Sequence, residues 1–352
     1  MLLSEFDFPF DPTLVADHPV TPRDRARLLV MERSTGARLH RHVADLSLLL
    51  RRGDLLVVND TKVMQARVPV RAGANGKFCD LLFVADLGGG LWEILIKGRW
   101  KPGTVLTFSN SDCGTIVERS HARTTLRLNE GARAYDLMQA IGTMPLPPYI
   151  KRMPTQDDLQ WYQTVFARNE GAIAAPTAGL HFTRELVQTL RGQGIELAQV
   201  TLHVGPGTFR GVQSERIEEH RMLAERVDVP IRTVEQIRLA RERGNRVVAV
   251  GTTVVRALET AALGERGLEA FQGAAELFIT PGYEFRVVDA LVTNFHLPRT
   301  TLLMLVSAFV GVERLRAAYA EAVSQRYRFY SYGDAMLIGT GWADTTSTLC
   351  GP

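Results

Sequence analysis

From Ile195 to Ser324 one pattern recurs: a short apolar run, a loop of small and polar residues, then a stretch with helical spacing. Ile195–Val204, Arg246–Val250, Leu277–Thr280 and Ala290–Thr293 are the apolar runs, and each has strand length. Helical spacing marks Thr233–Arg243, Gly251–Glu259, Leu302–Val310 and Glu313–Ser324. Thr233–Gln236 fits a capping box, and Thr300 fits an N-cap. Strands alternating with helices require a mixed sheet covered by helices. The pattern begins earlier, with apolar runs at Leu28–Met31 and Asp54–Asn59 and a polar turn at Asp60–Lys62. Helical spacing is present at Asp157–Arg168, a brief strand at Ala172–Ala174, and a helix capped by Thr183 runs to Arg191.

Between Val63 and Leu128 the texture changes. Phe78–Ala85, Leu91–Lys97, Thr104–Phe108, Thr115–Arg119 and Thr124–Leu128 are short β-prone runs separated by Gly, Pro and Asn-Ser-Asp turns. Such spacing predicts a small barrel or sandwich inserted into the first domain. Ala134–Ile141 then reads as a short helix. Met144–Tyr149 must be extended, because each proline fixes its own φ and restricts its predecessor.

Composition excludes several classes. With 352 residues the chain is long enough for two domains. Its net charge of +3 permits a polyanionic partner without demanding one. Cys79, Cys113 and Cys350 are scattered and include no C-x-x-C pair, so neither a disulfide framework nor a thiolate metal site is expected. Met1–Phe10 lacks the basic and apolar regions of a leader, and Leu302–Val310 is far shorter than the roughly 20 residues of a membrane span. The expectation is a cytoplasmic protein with no membrane contact and no metal. Gly-x-Gly-x-x-Gly, His-Glu-x-x-His and Gly-x-Ser-x-Gly do not occur, which disfavours a dinucleotide site, a zinc hydrolase and a serine hydrolase.

Loops leaving the C-terminal ends of strands are the usual ligand sites of open α/β sheets. Ala174–Thr183 is rich in small residues and contains His181; Leu202–Arg210 contains His203 and Arg210 around Gly-Pro-Gly. Gly251–Thr252–Thr253 opens a helix that also carries Arg256, and Asn294–Arg299 contains His296. Taken singly, each is as well explained by a capped turn or a backbone-bonding histidine. Histidines in three such loops point to one shared cleft. Lys97, Arg99, Trp100 and Lys101 combine cations with an aromatic ring, as single-stranded RNA sites do, although a charged hairpin edge gives the same composition.

Several strings resemble one family, the S-adenosylmethionine:tRNA ribosyltransferase-isomerases of queuosine synthesis. They are N-D-T-K at Asn59–Lys62 with Arg67, P-L-P-P-Y-I at Pro145–Ile150, Y-Q-T-V-F at Tyr162–Phe166 and A-A-P-T-A-G-L-H-F at Ala174–Phe182. L-H-V-G-P-G-T-F at Leu202–Phe209, V-G-T-T-V-V-R-A-L-E at Val250–Glu259 and P-G-Y-E-F at Pro281–Phe285 continue the series. N-F-H-L-P-R-T-T-L-L-M-L at Asn294–Leu305 and Y-R-F-Y-S-Y-G-D-A-M at Tyr327–Met336 complete it in chain order.

The resemblance implies a multi-domain α/β protein: a larger mixed α/β domain, residues 1–62 and 145–352, with a small β-barrel domain inserted at 63–144. It implies transfer and isomerisation of the ribosyl group of S-adenosylmethionine, a substrate rather than a cofactor, onto 7-aminomethyl-7-deazaguanine at the tRNA wobble position. Epoxyqueuosine-tRNA, adenine and methionine are the implied products, and the protein is expected to act as a monomer. On this basis His181 and His203 are the acid–base candidates. Asp60, Arg67, Thr177, Thr208, Arg210, Thr252, Thr253, Arg256, Asn294 and His296 are substrate-binding candidates. Tyr149 and Tyr162 are placed against the sulfonium, and Lys97, Arg99, Lys101, Lys151 and Arg152 against tRNA. The chain departs from the family pattern at Leu223–Ala224, where members often carry His-Ser, and at Glu276 and Thr280. A tRNA-binding protein without turnover, or another S-adenosylmethionine-using transferase, is the alternative these departures keep open.

Overall fold

The structure is a computed structural model that describes residues 1–73, 76–109, 112–120, 123–209, 211–212 and 214–342; the side chains of 208 and 209 are outside the description. In chain order the strands are β1 (Arg27–Glu32), β2 (Arg38–His42), β3 (Leu55–Asn59), β4 (Thr61–Val63), β5 (Arg67–Ala72), β6 (Lys77–Gly88), β7 (Leu91–Ile96), β8 (Val105–Phe108), β9 (Cys113–Arg119) and β10 (Thr124–Leu128). They continue as β11 (Asn169–Ala172), β12 (Glu196–Leu202), β13 (Glu225–Val229), β14 (Val247–Val250), β15 (Phe271–Ala275), β16 (Ala290–Asn294) and β17 (Ala335–Gly339). The helices are α1 (Leu46–Leu49), α2 (Ala134–Ile141), α3 (Asp158–Trp161), α4 (Arg184–Gly192), α5 (Ile231–Glu242), α6 (Thr252–Ala261), α7 (Thr301–Val310) and α8 (Val312–Ser324).

A nine-stranded mixed sheet in the order β15-β13-β12-β3-β14-β16-β17-β1-β2 forms the larger unit. Its centre, β12, β3, β14 and β16, is parallel throughout. Every residue of β3, β14, β16 and β17 is buried, as expected for strands covered on both faces. Alternate residues serve opposite layers. Leu55, Val57, Val247, Ala249 and Leu291 pack with α6, α7 and α8, while Leu56, Val58, Val248, Val250 and Val292 pack with α1 and α4.

The chain between β4 and β11 contains a closed antiparallel barrel in the order β10-β7-β6-β5-β8-β9. Closure leaves no strand edge exposed to pairing. Val68, Leu81, Ile94, Leu106 and Ile116 fill it around Phe83, whose ring meets Trp92 edge-on at 5.2 Å. Leu137 and Met138 of α2 pack into the same core.

Some expectations are corrected. Asp60–Lys62 is not only a turn: Thr61–Val63 forms a strand parallel to β11. Asp157–Arg168 forms a single helical turn, after which Tyr162 and Phe166 enter different cores. Thr233 does not cap its helix. Pro230 precedes the first turn, and the Thr233 hydroxyl instead donates to the Gln199 carbonyl at 2.6 Å. The strand expected at Leu277–Thr280 lies earlier, at β15, and that at Ala172–Ala174 shifts back to β11. Among the described residues no helix is long and apolar enough to cross a membrane.

One ion pair fastens the bottom of the parallel strands. Arg246, just before β14, donates to Asp54, just before β3, at 2.5 and 3.1 Å, and also to the Thr340 carbonyl beyond β17 at 2.9 Å. Asp54 is 2 % exposed, and it also accepts the Arg51 amide. Removing one member of such a pair strands a buried charge. Asp54→Ala is therefore expected to lower the unfolding free energy in a denaturant titration by about 3 kcal/mol or more. A loss near the ~1 kcal/mol of an exposed pair would remove it from this role.

Candidate active site

Because β12, β3, β14 and β16 run parallel, their C-terminal ends share one edge of the sheet. Asp60, His203, Gly251–Thr253 and Asn294–His296 follow these ends. β17 is antiparallel to β16, so its entry segment, Tyr330–Ser331, arrives at the same edge. Together with Ala174–Ala178 and Val204, the residues Gly251–Thr253, Asn294, His296 and Tyr330–Ser331 line one narrow cavity.

Asn294 organises the floor of this cavity. Its Oδ1 accepts from the Thr177 hydroxyl at 3.0 Å, and its Nδ2 donates to the Tyr330 carbonyl at 3.0 Å and to His181 Nε2 at 3.1 Å. The carbonyl contact fixes the amide orientation, so His181 Nε2 is an acceptor and the ring is neutral. Burial, reinforced by the Arg23 and Arg328 charges, lowers the His181 pKa to about 3. His181 does not line the cavity itself and acts on it through Asn294. Tyr330 holds a φ of 69°, a conformation that side-chain-bearing residues rarely adopt. Bonds on both sides hold it there: its amide donates to the Phe295 carbonyl at 3.1 Å and its carbonyl receives Asn294.

His296 also lines the cavity. It shares a 2.9 Å bond between Nε2 and the Thr293 hydroxyl, and burial lowers its pKa to about 3. At the start of α6, Gly251 has a φ of 96°, a conformation that favours glycine. Thr252 and Thr253 follow in the first turn and face the cavity; Thr253 Oγ1 is buried without a hydrogen-bond partner among the described residues. Arg256, one turn on, is committed elsewhere. It forms a buried ion pair with Glu225 and donates to the Ala275 carbonyl at 2.9 Å.

Tyr149 and Tyr162 close another wall. The Tyr149 ring lies 3.8 Å from that of Tyr330, and its hydroxyl bonds Ser331. Burial raises both phenols above their ordinary range, so both remain neutral.

Val204 separates the cavity from a second space, a groove of about 320 Å³ between the barrel and the sheet. His203 faces this groove. Its Nδ1 is 2.9 Å from the Thr61 hydroxyl, which donates onward to the Asn169 carbonyl at 3.5 Å. Burial, with Arg226 nearby, lowers the His203 pKa to about 4. Gly171 is required beside it, since a Cβ there would meet the imidazole at 2.7 Å. Leu223 and Ala224 line the groove and not the cavity, whereas Glu276 is exposed.

Other expected site residues are placed differently. Asp60 is buried outside the cavity and accepts from Asn169 at 3.1 Å and from Thr201 at 2.6 Å. Arg67 donates to the Leu146 carbonyl at 3.2 Å and holds the proline-rich segment. Thr208 lies in a 3-10 turn at Pro206–Phe209 but its side chain, like Arg210, falls outside the described residues. Lys97, Arg99, Lys101 and Lys151 are exposed. Arg152 instead makes a bidentate pair with buried Asp158 at 2.6 and 2.7 Å. Burial opposes the charge on Asp158, but the bonds from Arg152, Thr155 and Tyr332 outweigh it and hold the carboxyl at about 2. Tyr330 and Ser331 were not singled out as site residues, although they lie within the string Tyr327–Met336. Among the described residues no group of three or more His, Cys, Asp or Glu side chains could hold a metal ion.

Residues 3–338 match the family model described as "Queuosine biosynthesis protein". The chain is 49% identical over 352 residues to an S-adenosylmethionine:tRNA ribosyltransferase-isomerase of Moorella thermoacetica, covering 96% of this chain and all of that one. It is 47% identical over 344 residues to the protein of the same name from Citrifermentans bemidjiense, with the same coverage. A crystal structure of an S-adenosylmethionine tRNA ribosyltransferase from Thermotoga maritima is 38% identical and covers 95% of this chain and all of its own, with a TM-score of 0.54.

The buried histidines make stability depend on pH. His181 and His296 titrate near 6.5 when unfolded and near 3 when folded, so between these values the unfolded chain binds more protons. Their contribution is complete above pH 6.5 and is lost as pH falls towards 3. The urea midpoint is expected to decline from pH 7 to pH 4.5, and less steeply in His296→Gln; equal slopes would refute the assignment.

Proposed function

We propose, since the chain belongs to the queuosine biosynthesis family of S-adenosylmethionine:tRNA ribosyltransferase-isomerases, that it moves the ribosyl group of S-adenosylmethionine onto 7-aminomethyl-7-deazaguanine at the tRNA wobble position. The products are epoxyqueuosine-tRNA, adenine and methionine. The enzyme works as a cytoplasmic monomer without a cofactor. The observation that carries this reading is the pairing of two spaces across Val204. One is a cavity lined by small residues, threonine hydroxyls and tyrosine rings; the other is a groove that presents a neutral histidine.

S-Adenosylmethionine occupies the cavity in this scheme. Thr177, Thr252 and Thr253 offer hydroxyls to the adenosyl and methionine parts. The Tyr149 and Tyr330 rings, tilted against each other, offer a cation-attracting π-face to the sulfonium. Among the described residues Arg256 is the one guanidinium lining the cavity, and it is paired with Glu225. The sulfonium acidifies the adjacent ribose carbon, which in this scheme reaches past Val204 to the groove, where His203 removes its proton. The depressed pKa keeps His203 unprotonated and ready at neutral pH. His181, joined to the cavity through Asn294, holds Thr177 and Tyr330 in register. The tRNA enters along the groove, where Lys97, Arg99, Lys101 and Lys151 meet its backbone. Holding the substrate amine against the ribose carries much of the rate.

Adenine release from S-adenosylmethionine tests the proposal, with and without tRNA bearing 7-aminomethyl-7-deazaguanine. Release is expected only with the modified tRNA. Binding of both ligands without release would replace the enzyme by a tRNA-binding protein. His203→Ala, with its fold verified by circular dichroism, is expected to slow release by about 10²–10⁴-fold. Near-normal release would reject His203 as the base.

A further inference from the structure

We infer that Glu93, on the barrel side of the groove, receives the ammonium group of the modified base and sets the preference for it. This rests on the substrate proposed above.

Glu93 lies in β7 between Trp92 and Ile94, both buried in the barrel core. Strand alternation therefore points Glu93 away from that core, and it lines the same groove as His203. Its cross-strand neighbours are Ala85 and Thr125, which bring no positive charge. Glu93 is half-buried and makes no hydrogen bond or ion pair with any described residue. The other carboxylates nearby are engaged. Glu225 takes Arg256 and the Gly205 amide, Glu170 takes Lys62 at 2.7 Å, and Asp86 accepts the Gly88 amide at 2.8 Å.

Two costs attach to this position. A half-buried carboxylate without a partner is disfavoured. A carboxylate on a surface that receives RNA also repels phosphate. Both reverse if the incoming group carries a positive charge of its own. A primary aminomethyl substituent is an ammonium at neutral pH, whereas an unmodified guanine offers no cation. Tyr135 completes the fit: its ring meets Trp92 edge-on at 5.4 Å, lines the same groove and is 46 % exposed, leaving a face for a base to stack on. The base thus lies between Tyr135 and His203, with its amine on Glu93.

Two anticodon stem-loop RNAs test this, one with 7-aminomethyl-7-deazaguanine and one with uncharged 7-methyl-7-deazaguanine at the wobble position. The wild-type protein is expected to bind the first about tenfold more tightly or better, the effect of one charge-assisted hydrogen bond. Glu93→Gln is expected to erase that preference without weakening the 7-methyl RNA, and Glu93→Asp to retain part of it. A wild-type protein without the preference, a Glu93→Gln protein that keeps it, or equal weakening of both RNAs, would overturn the inference. Adenine release by the wild-type protein reports separately on the proposed reaction, so the two failures are distinguishable.

Discussion

Parallel pairing of β12, β3, β14 and β16 is the constraint on which the rest depends. Parallel strands need crossovers through helices, so every C-terminal end opens into a loop on one edge. Four loops far apart in the chain thereby become neighbours without any contact having to draw them together. The antiparallel entry of β17 adds a fifth, bringing Tyr330 and Ser331 to the same place. The Asn294 hydrogen bonds then lock two of these segments and the Ala174–Thr183 loop into one geometry. The Arg246–Asp54 pair does the corresponding service at the opposite edge.

Continuous apolar runs such as Leu55–Val58 and Val247–Val250 are legible as buried strands because they have few other uses, although the equally buried β17 escapes the same reading. Strands with mixed faces were hidden. β2 reads Arg-Leu-His-Arg-His and β13 Glu-Arg-Val-Asp-Val, polar enough to pass for loop. β5 carries Pro69, which argues against a strand, yet it pairs with β6 throughout. Among site residues, the histidine-bearing loops stood out by composition. Their partners did not, because Asn294 meets His181 across 113 positions and Arg256 meets Glu225 across 31. The family resemblance offered Arg256, Asp60 and Arg152 as binding candidates; packing reveals that each is already engaged by a neighbour.

The site works by withdrawing charge from itself. Three histidines are held neutral by burial, two tyrosines are held protonated, and the cavity's guanidinium is paired. A low-dielectric chamber of this kind strengthens each remaining dipole. The strain held at Tyr330 belongs to the same design, since its carbonyl is what orients the Asn294 amide.

The wall between cavity and groove carries an evolutionary consequence. Arg256 lines the cavity and Glu225 the groove, and their ion pair crosses between them while Glu225 also holds the Gly205 amide. Loss of either partner leaves the other charged, buried and unmatched, a large penalty at each single step. Replacement by an apolar pair of the same volume carries no such penalty, but every one-change route to it passes through that intermediate. The two positions therefore form an epistatic unit, able to drift together and barred from drifting alone.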